Sequence, residues 1–466
     1  MNTSRRHFLR TAASLSAAAT PLVPGFNTPL AMSLAGLGAL AAERAQAADT
    51  TGYRALVCLF MQGGSDMHNW VVPTDTTSGY ADYAKVRAEL TWPATKLQAL
   101  TSTTQASGRT FGMPTDLAPL RSWYELGRAA VLANVGTLVR PISKAEFQAG
   151  GAGVPTKLFS HNDQQSTWQS LAPEGAPSGW GGRMGDLLMS ANNQPIFTTV
   201  SASGNAVFLT GRSVFQYQVG ADGPIGVNAL TSSWLMGSTS VAPVLRRVLL
   251  SSGSNDFQAE HTRIMQRSID TTTSLRNAIN ATAIGALPAN MSGDSLAKQL
   301  RIVAQMIAAG PGLGMKRQVF MVSIGGFDSH ANQMRDQPGL MARVASSVDW
   351  FLRSLDGVGM INNATLFTAS DFGRTLTSNG AGSDHGWGSH HFIAGGAVRG
   401  REIYGQFPVT ALGTATDVGS GRLLPTTSVT EYAATLGRWM GLTDSELLTV
   451  LPNLGNFSNT NLGFMA

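Results

Sequence analysis

Tyr53-Arg54-Ala55-Leu56-Val57-Cys58-Leu59-Phe60-Met61, followed by Gln62-Gly63-Gly64-Ser65-Asp66, is the stretch on which the fold turns. Its first nine residues are almost continuously apolar. A short apolar run closed by glycines predicts a strand buried on both faces, as in a parallel sheet. The same pattern recurs three times. Ala129 to Val135 is closed by Gly136-Thr137, Val319 to Ile324 by Gly325-Gly326-Phe327-Asp328, and Ala364 to Ala369 by Ser370-Asp371. Ile196 to Val200 and Ala206 to Thr210 read as further strand or hairpin. Helical spacing predicts helices over Asn255 to Ile279, Ser295 to Ala309 and Leu340 to Leu355. In the second of these Leu296, Leu300, Val303, Met306 and Ile307 share one side. The third is expected to begin just after Pro338-Gly339. Strands alternating with helices predict an α/β fold with a mostly parallel central sheet sandwiched by helices.

The composition agrees with one large α/β domain. Of 466 residues, 43% are hydrophobic and 13% charged, enough for a sizeable core and too apolar for general disorder. Residues 210–255, rich in Gly, Ser and Asn, read as an inserted loop or cap region. The single cysteine, Cys58, excludes an intrachain disulfide, and its apolar neighbours predict a buried small hydrophobe.

The N-terminus reads as an address. Ser4-Arg5-Arg6-His7-Phe8-Leu9-Arg10 and the weakly apolar stretch after it match a bacterial twin-arginine signal. Ala45-Gln46-Ala47 is a small-x-small cleavage site, so residues 1–47 are expected to be removed and 48–466 to form the mature domain. Prolines at 21, 24 and 29 interrupt the apolar run, so no membrane-spanning helix is expected there, and none in the mature protein. The expected partner is the twin-arginine translocation machinery, and the expected location periplasmic or extracellular. Arg5, Arg6, Arg10 and Arg44 also account for much of the net charge of +5. Without the first 47 residues 29 basic and 27 acidic residues remain, and no nucleic-acid partner is expected.

Three of the four best strands end in a carboxylate: Asp66, Asp328 and Asp371. Ligands bind outside the carboxyl ends of strands in open α/β sheets, so these residues are expected to converge. Buried like charges repel unless a cation neutralises them. Six of the eight histidines lie beside such carboxylates: His68, His161, His330, His385, His390 and His391. Clustered Asp and His without Cys suit zinc, manganese or iron better than calcium or magnesium. Ser160 is the first candidate nucleophile, because it precedes a predicted helix whose N–H groups would stabilise an anion. Ser160 with Asp163 equally fits a helix cap. Thr137, after the second strand, is the other candidate, and Ser143 with Glu146 reads as a capping box. Arg374 is placed to clamp an anionic oxygen or to pair with a neighbouring carboxylate.

Gln62-Gly63-Gly64-Ser65-Asp66 with Asn69 and Pro73, Gly325-Gly326-Phe327-Asp328-Ser329-His330, Ser370-Asp371-Phe372-Gly373-Arg374-Thr375, and Asp384-His385-Gly386-Trp387-Gly388-Ser389-His390-His391-Phe392 together resemble the DUF1501 family. Ser160-His161 with Gln164, and Ser178-Gly179-Trp180-Gly181-Gly182-Arg183, fit the same pattern. This family in turn resembles the alkaline phosphatase and sulfatase superfamily. The resemblance implies an α/β sandwich with a divalent metal centre of zinc or manganese and a small anionic ester substrate. It implies metal ligation by Asp66, Asp328, His330, Asp371 and a late histidine, His385, His390 or His391. Phe372 stands where the superfamily often has histidine, and Asp328 and His330 are unusually close, which implies a centre altered, reduced to one ion, or lacking one site. Two functions follow: a metal-dependent hydrolase of phosphate or sulfate esters, or an exported binding or assembly protein with a degenerate site.

Overall fold

In a computed structural model, residues 48–466 are described, except positions 78, 102, 103, 151, 152, 227, 231, 233 and 252–254. The twin-arginine signal and its cleavage site lie outside the described residues.

The apolar runs form the centre of a ten-stranded sheet. In chain order its strands are β1 (Arg54–Met61), β2 (Ala129–Gly136), β3 (Thr199–Ser201), β4 (Tyr217–Gly220), β5 (Gly223–Pro224), β6 (Arg317–Ile324), β7 (Ala364–Ser370), β8 (Ser389–Gly395), β9 (Ile403–Tyr404) and β10 (Thr427–Ser428). The spatial order is β9-β2-β8-β7-β1-β6-β3-β4-β5, with β10 also beside β2. β1 lies between β6 and β7 and is parallel to both, with Met61 in register with Ile324 and Ser370. β8 runs antiparallel between β7 and β2, and β5 antiparallel to β4. The sheet is otherwise parallel. The register brings the loops after β1, β6 and β7 out side by side at one edge.

Alternation along β1 divides the core. Ala55, Val57, Leu59 and Met61 pack into one apolar layer, and Leu56, Cys58 and Phe60 into the other. Every one is buried, as a central strand between two helical layers requires. The first layer is closed by α3 (Ser295–Ala309) and α4 (Gln333–Gly357). The second is closed by α1 (His161–Ser170), α2 (Trp180–Leu188) and α5 (Val429–Trp439). Asp294 caps α3 by accepting from the Ala297 N–H. The helix expected over Asn255 to Ile279 is present as Asp256–Asn280.

Three expectations are corrected. Ile196 to Val200 is strand only from Thr199, because Pro195–Phe197 forms a 3-10 turn. Ala206 to Thr210 is not a strand: Val207–Leu209 is a 3-10 turn whose Phe208 packs edge-on to Trp180 at 4.6 Å. A five-residue apolar run carries no period long enough to tell the two apart. The helix expected from Leu340 starts at Gln333 instead, with Pro338 inside it. Proline leaves one helical carbonyl without its N–H. Here the first turns are tethered from outside, by the Gln333 side chain on the Asp66 carboxylate and by Gln337 Nε2 on the Asp66 carbonyl at 2.7 Å.

Candidate metal centre

The loop after β1 is pressed against its neighbours by two glycines. Gly63 has φ +112°, and a Cβ there would come within 2.4 Å of the Asp328 nitrogen. Gly64 has φ +78°, and a Cβ there would enter the Phe372 ring. Only glycine permits both the conformation and the close approach. The Ser65 N–H donates to Ser370 Oγ at 2.8 Å, and that hydroxyl donates to the Met61 carbonyl at 2.6 Å, which ties the first loop to the third.

Asp371, fully buried, is an organiser. Its Oδ1 accepts from the Gly63 N–H at 3.1 Å, and its Oδ2 accepts from Gln165 Nε2 at 2.9 Å and from His161 Nδ1 at 2.7 Å. His161 is the first residue of α1, so the helix start delivers the imidazole to the sheet edge. With Nδ1–H committed to a carboxylate, the lone pair of His161 sits on Nε2, 3.6 Å from Asp328 Oδ2. His385 repeats the arrangement. Its Nδ1 donates to the Phe159 carbonyl at 2.8 Å, and its Nε2 lies 3.4 Å from Asp328 Oδ1. In His330, Nδ1 donates to Asp384 at 3.1 Å, and Nε2 lies 3.1 Å from Asp328 Oδ1 and 2.9 Å from His385 Nε2. Three imidazoles thus spend Nδ1–H on an oxygen and turn Nε2 toward one carboxylate. This is the outer-shell device that orients histidine ligands.

His161, Asp328 and His385 form a compact group whose ligand atoms lie within 4.8 Å of one another, able to hold a metal ion. Separations of 3.4 and 3.6 Å from Asp328 to His385 and His161, and of 2.9 and 3.1 Å from His330 to His385 and Asp328, lie around the roughly 3.3 Å expected between ligands of a tetrahedral ion with bonds near 2.0 Å. The Asp328 side chain is 49% exposed, so the group is reachable from solvent. Phe372 packs against both His161 and His385, with ring centroids 4.9 and 4.5 Å apart.

The electrostatics follow from these contacts. The Asp371 hydrogen bond, against some burial, raises the His161 pKa, and the Asp371 and Asp328 charges add to it. Burial lowers that of His385, and the nearby Arg374 charge adds to the effect. Burial works to raise the Asp328 pKa, but the Arg374 hydrogen bond and charge outweigh it and hold the carboxyl below its usual range.

The other candidates sit elsewhere. Asp66 does not reach the imidazoles: its buried carboxylate is held by Arg87 and Gln333. His390 is wholly buried and stacks on Phe407 at 4.3 Å, with Nδ1 accepting from the Asn134 N–H at 3.3 Å. Thr137 is buried and donates to Gln164 at 2.6 Å, away from the cluster. Arg374 is not free to clamp a substrate. It is fully buried and donates to the carbonyls of Gly63, Gly64 and Ser383 and to Asp328. Ser160 is the residue before α1, next to His161, and its hydroxyl donates to Asp163 Oδ2 at 2.9 Å. Ser143 makes the expected capping box with Glu146. The residue that sequence reasoning did not select as a ligand is His161. Its signal was present, a histidine directly after a candidate N-cap, but nothing in the chain order links it to Asp328.

Residues 53–451 match the family model described as "Protein of unknown function (DUF1501)". The chain belongs to the DUF1501 family. No curated protein matches this DUF1501 chain significantly. Solved structures similar to it include the lipoteichoic acid synthase LtaP from Listeria monocytogenes, 6% identical, covering 88% of this chain and 77% of that one at a TM-score of 0.32. The PsFucS1 sulfatase from Pseudoalteromonas sp. is 10% identical and covers 93% of this chain and 76% of that one at 0.34. The C-terminal periplasmic domain of EcEptC from Escherichia coli, in complex with Zn, is 10% identical and covers 85% of each chain at 0.33. Likeness this loose carries nothing about activity.

Proposed function

We propose that this chain is an exported metal-dependent hydrolase of phosphate or sulfate esters, with zinc or manganese held by His161, Asp328 and His385 and adjoined by His330. One observation carries the metal reading. The Nε2 atoms of His330 and His385 lie 2.9 Å apart, and the Nδ1 of each already faces an oxygen, so two lone pairs face each other whenever both imidazoles are neutral. They repel unless a cation, metal ion or proton, relieves them. Asp328, within 3.4 Å of both, adds the negative charge that favours a metal ion.

A bound divalent ion would act there as a Lewis acid toward a phosphoryl or sulfuryl oxygen. The protein's own groups have separable tasks. Asp371, Asp384 and the Phe159 carbonyl hold the imidazole tautomers. Arg374 holds Asp328 and is a positioning residue. The backbone N–H groups of the first turn of α1 offer an anion a favourable pole, with Ser160 beside them as nucleophile and Asp163 accepting its proton. The twin-arginine motif supports delivery of the folded chain across the membrane, and no helix among the described residues is long and apolar enough to cross one.

Metal analysis of purified protein combined with assays on aryl phosphates and aryl sulfates tests the proposal. Bound metal with turnover that Ser160→Ala abolishes is the expected result. Metal-free protein with no turnover across added divalent ions would overturn it. A second reading, a metal-holding binding or assembly protein without turnover, is favoured by Phe372 against the imidazoles and by an Arg374 that is buried and already engaged by three carbonyls and Asp328. Stoichiometric metal without hydrolysis of either ester class would select it.

A further inference from the structure

The donors left free at the centre suffice for one ion. They are the Nε2 atoms of His161, His330 and His385 and the face of Asp328 turned toward them. Both oxygens of Asp371 are engaged by Gly63, His161 and Gln165. A small cavity of about 60 Å³ lies beside this group, lined by Asp66, Asp328, Ser329, Asp336 and Gln337 among others, and Asp66 Oδ1 is buried there without a partner. A second ion shared by Asp66 and Asp328 would sit there. The carboxylates on either side already carry fixed cations. Arg87 is paired with Asp66 and anchored on the Thr375 and Leu376 carbonyls at 3.0 and 3.2 Å. Arg374 is paired with Asp328 and anchored on three carbonyls. Both guanidiniums are fully buried. Guanidinium cannot be deprotonated here, so the positive charge is permanent. A divalent ion entering beside two such groups meets like charge in a poorly screened interior.

We propose that Arg87 and Arg374 take the place of a second metal ion and limit the centre to one, with Asp66 an ion-pair partner and not a ligand. This rests on the metal reading above. The test is a metal count on the full chain, stripped with chelator and titrated with zinc by calorimetry, with elemental analysis alongside. One equivalent is expected, lost in His161→Ala. Electron paramagnetic resonance of the manganese form should show an isolated ion. Two equivalents, or a coupled manganese pair, would overturn this inference and leave the metal reading standing, whereas zero equivalents would remove the metal reading itself. The double variant Asp66→Asn with Arg87→Gln, checked for native fold by thermal melting, should bind zinc within about threefold of the parent. A loss of tenfold or more would make Asp66 a ligand and sink the assignment. If the variant does not fold, the count on the parent still decides.

Discussion

At the scale of single residues, Asp371 does more than its sequence position announces. It touches no solvent, yet it sets the tautomer of His161 and receives the Gly63 backbone in the same stroke. Asp371→Asn keeps the shape and removes the charge that favours Nδ1–H on His161. Metal affinity is expected to fall about 10- to 100-fold, the range for losing an orienting partner. Zinc titration by calorimetry reads this out, and an unchanged affinity would show that His161 is not a ligand. Gly64→Ala is a different kind of change. The positive φ costs about 1–3 kcal/mol in backbone strain, and the new methyl must also displace the Phe372 ring. A urea midpoint lowered accordingly is expected, and a midpoint equal to the parent would mean that the loop relaxes freely.

Part of this site was legible from residues alone. Asp328, His330, His385 and Asp371 end strands or crowd one motif, and the structure brings these four together with His161. Asp66 followed the same rule and lies apart from the imidazoles, because Arg87, twenty-one positions along, folds back onto it. A carboxylate after a glycine turn looks the same whether its counter-charge is an ion or a guanidinium. His390 had histidine neighbours but points into the layer beside Phe407, since successive residues on β8 face opposite sides of the sheet.

At the scale of elements, α5 shows how a local signal supports the core. Ser428 accepts from the Glu431 N–H, and Glu431 accepts from the Ser428 N–H, a complete capping box at the start of α5. The same Ser428 ends β10, which pairs with β2. Ser428→Ala should destabilise the protein by about 1 kcal/mol, read from a shifted urea midpoint with an unchanged denaturant slope. An increase in stability would show the cap to be strained. The long helix α4 illustrates the opposite case. Pro338 looks like a boundary to any local rule, but Gln333 and Gln337 reach into the Asp66 network and hold the turn that precedes it. Helix limits depend on such distant partners as well as on propensity.

At the scale of the whole molecule, the buried imidazoles make the fold sensitive to acid. Burial pulls His68 and His391 down to about 3, and His390 is lowered well below its ordinary value for the same reason. In the unfolded chain these groups titrate near 6.5, so between about pH 6.5 and 3 the unfolded state binds protons that the native state refuses. Stability from this source is fully present above about pH 6.5 and is lost as the pH falls toward 3. The loss is about 1.4 kcal/mol per pH unit for each group that stays neutral. Urea unfolding at pH 7, 6, 5 and 4 should give steadily lower midpoints, with a shallower fall in His391→Gln. A midpoint independent of pH across that range would show that these imidazoles are protonated in the native state.

The order of the strands could not be read along the chain. Four apolar runs, three closed by glycine and three ending in a carboxylate, follow from local composition, and they suffice for an α/β sheet with chemistry at one edge. That β1 lies between β6 and β7 is set by pairings more than 250 residues apart. The choice of donors lay still further from local pattern, because it depends on where each Nδ1–H finds an oxygen. Those oxygens belong to the turn after β7, to the loop before α1 and to the short strand Ser383–His385. Residue types and their turns are inscribed locally, whereas the direction of a lone pair is a property of neighbours that meet only when the chain has folded.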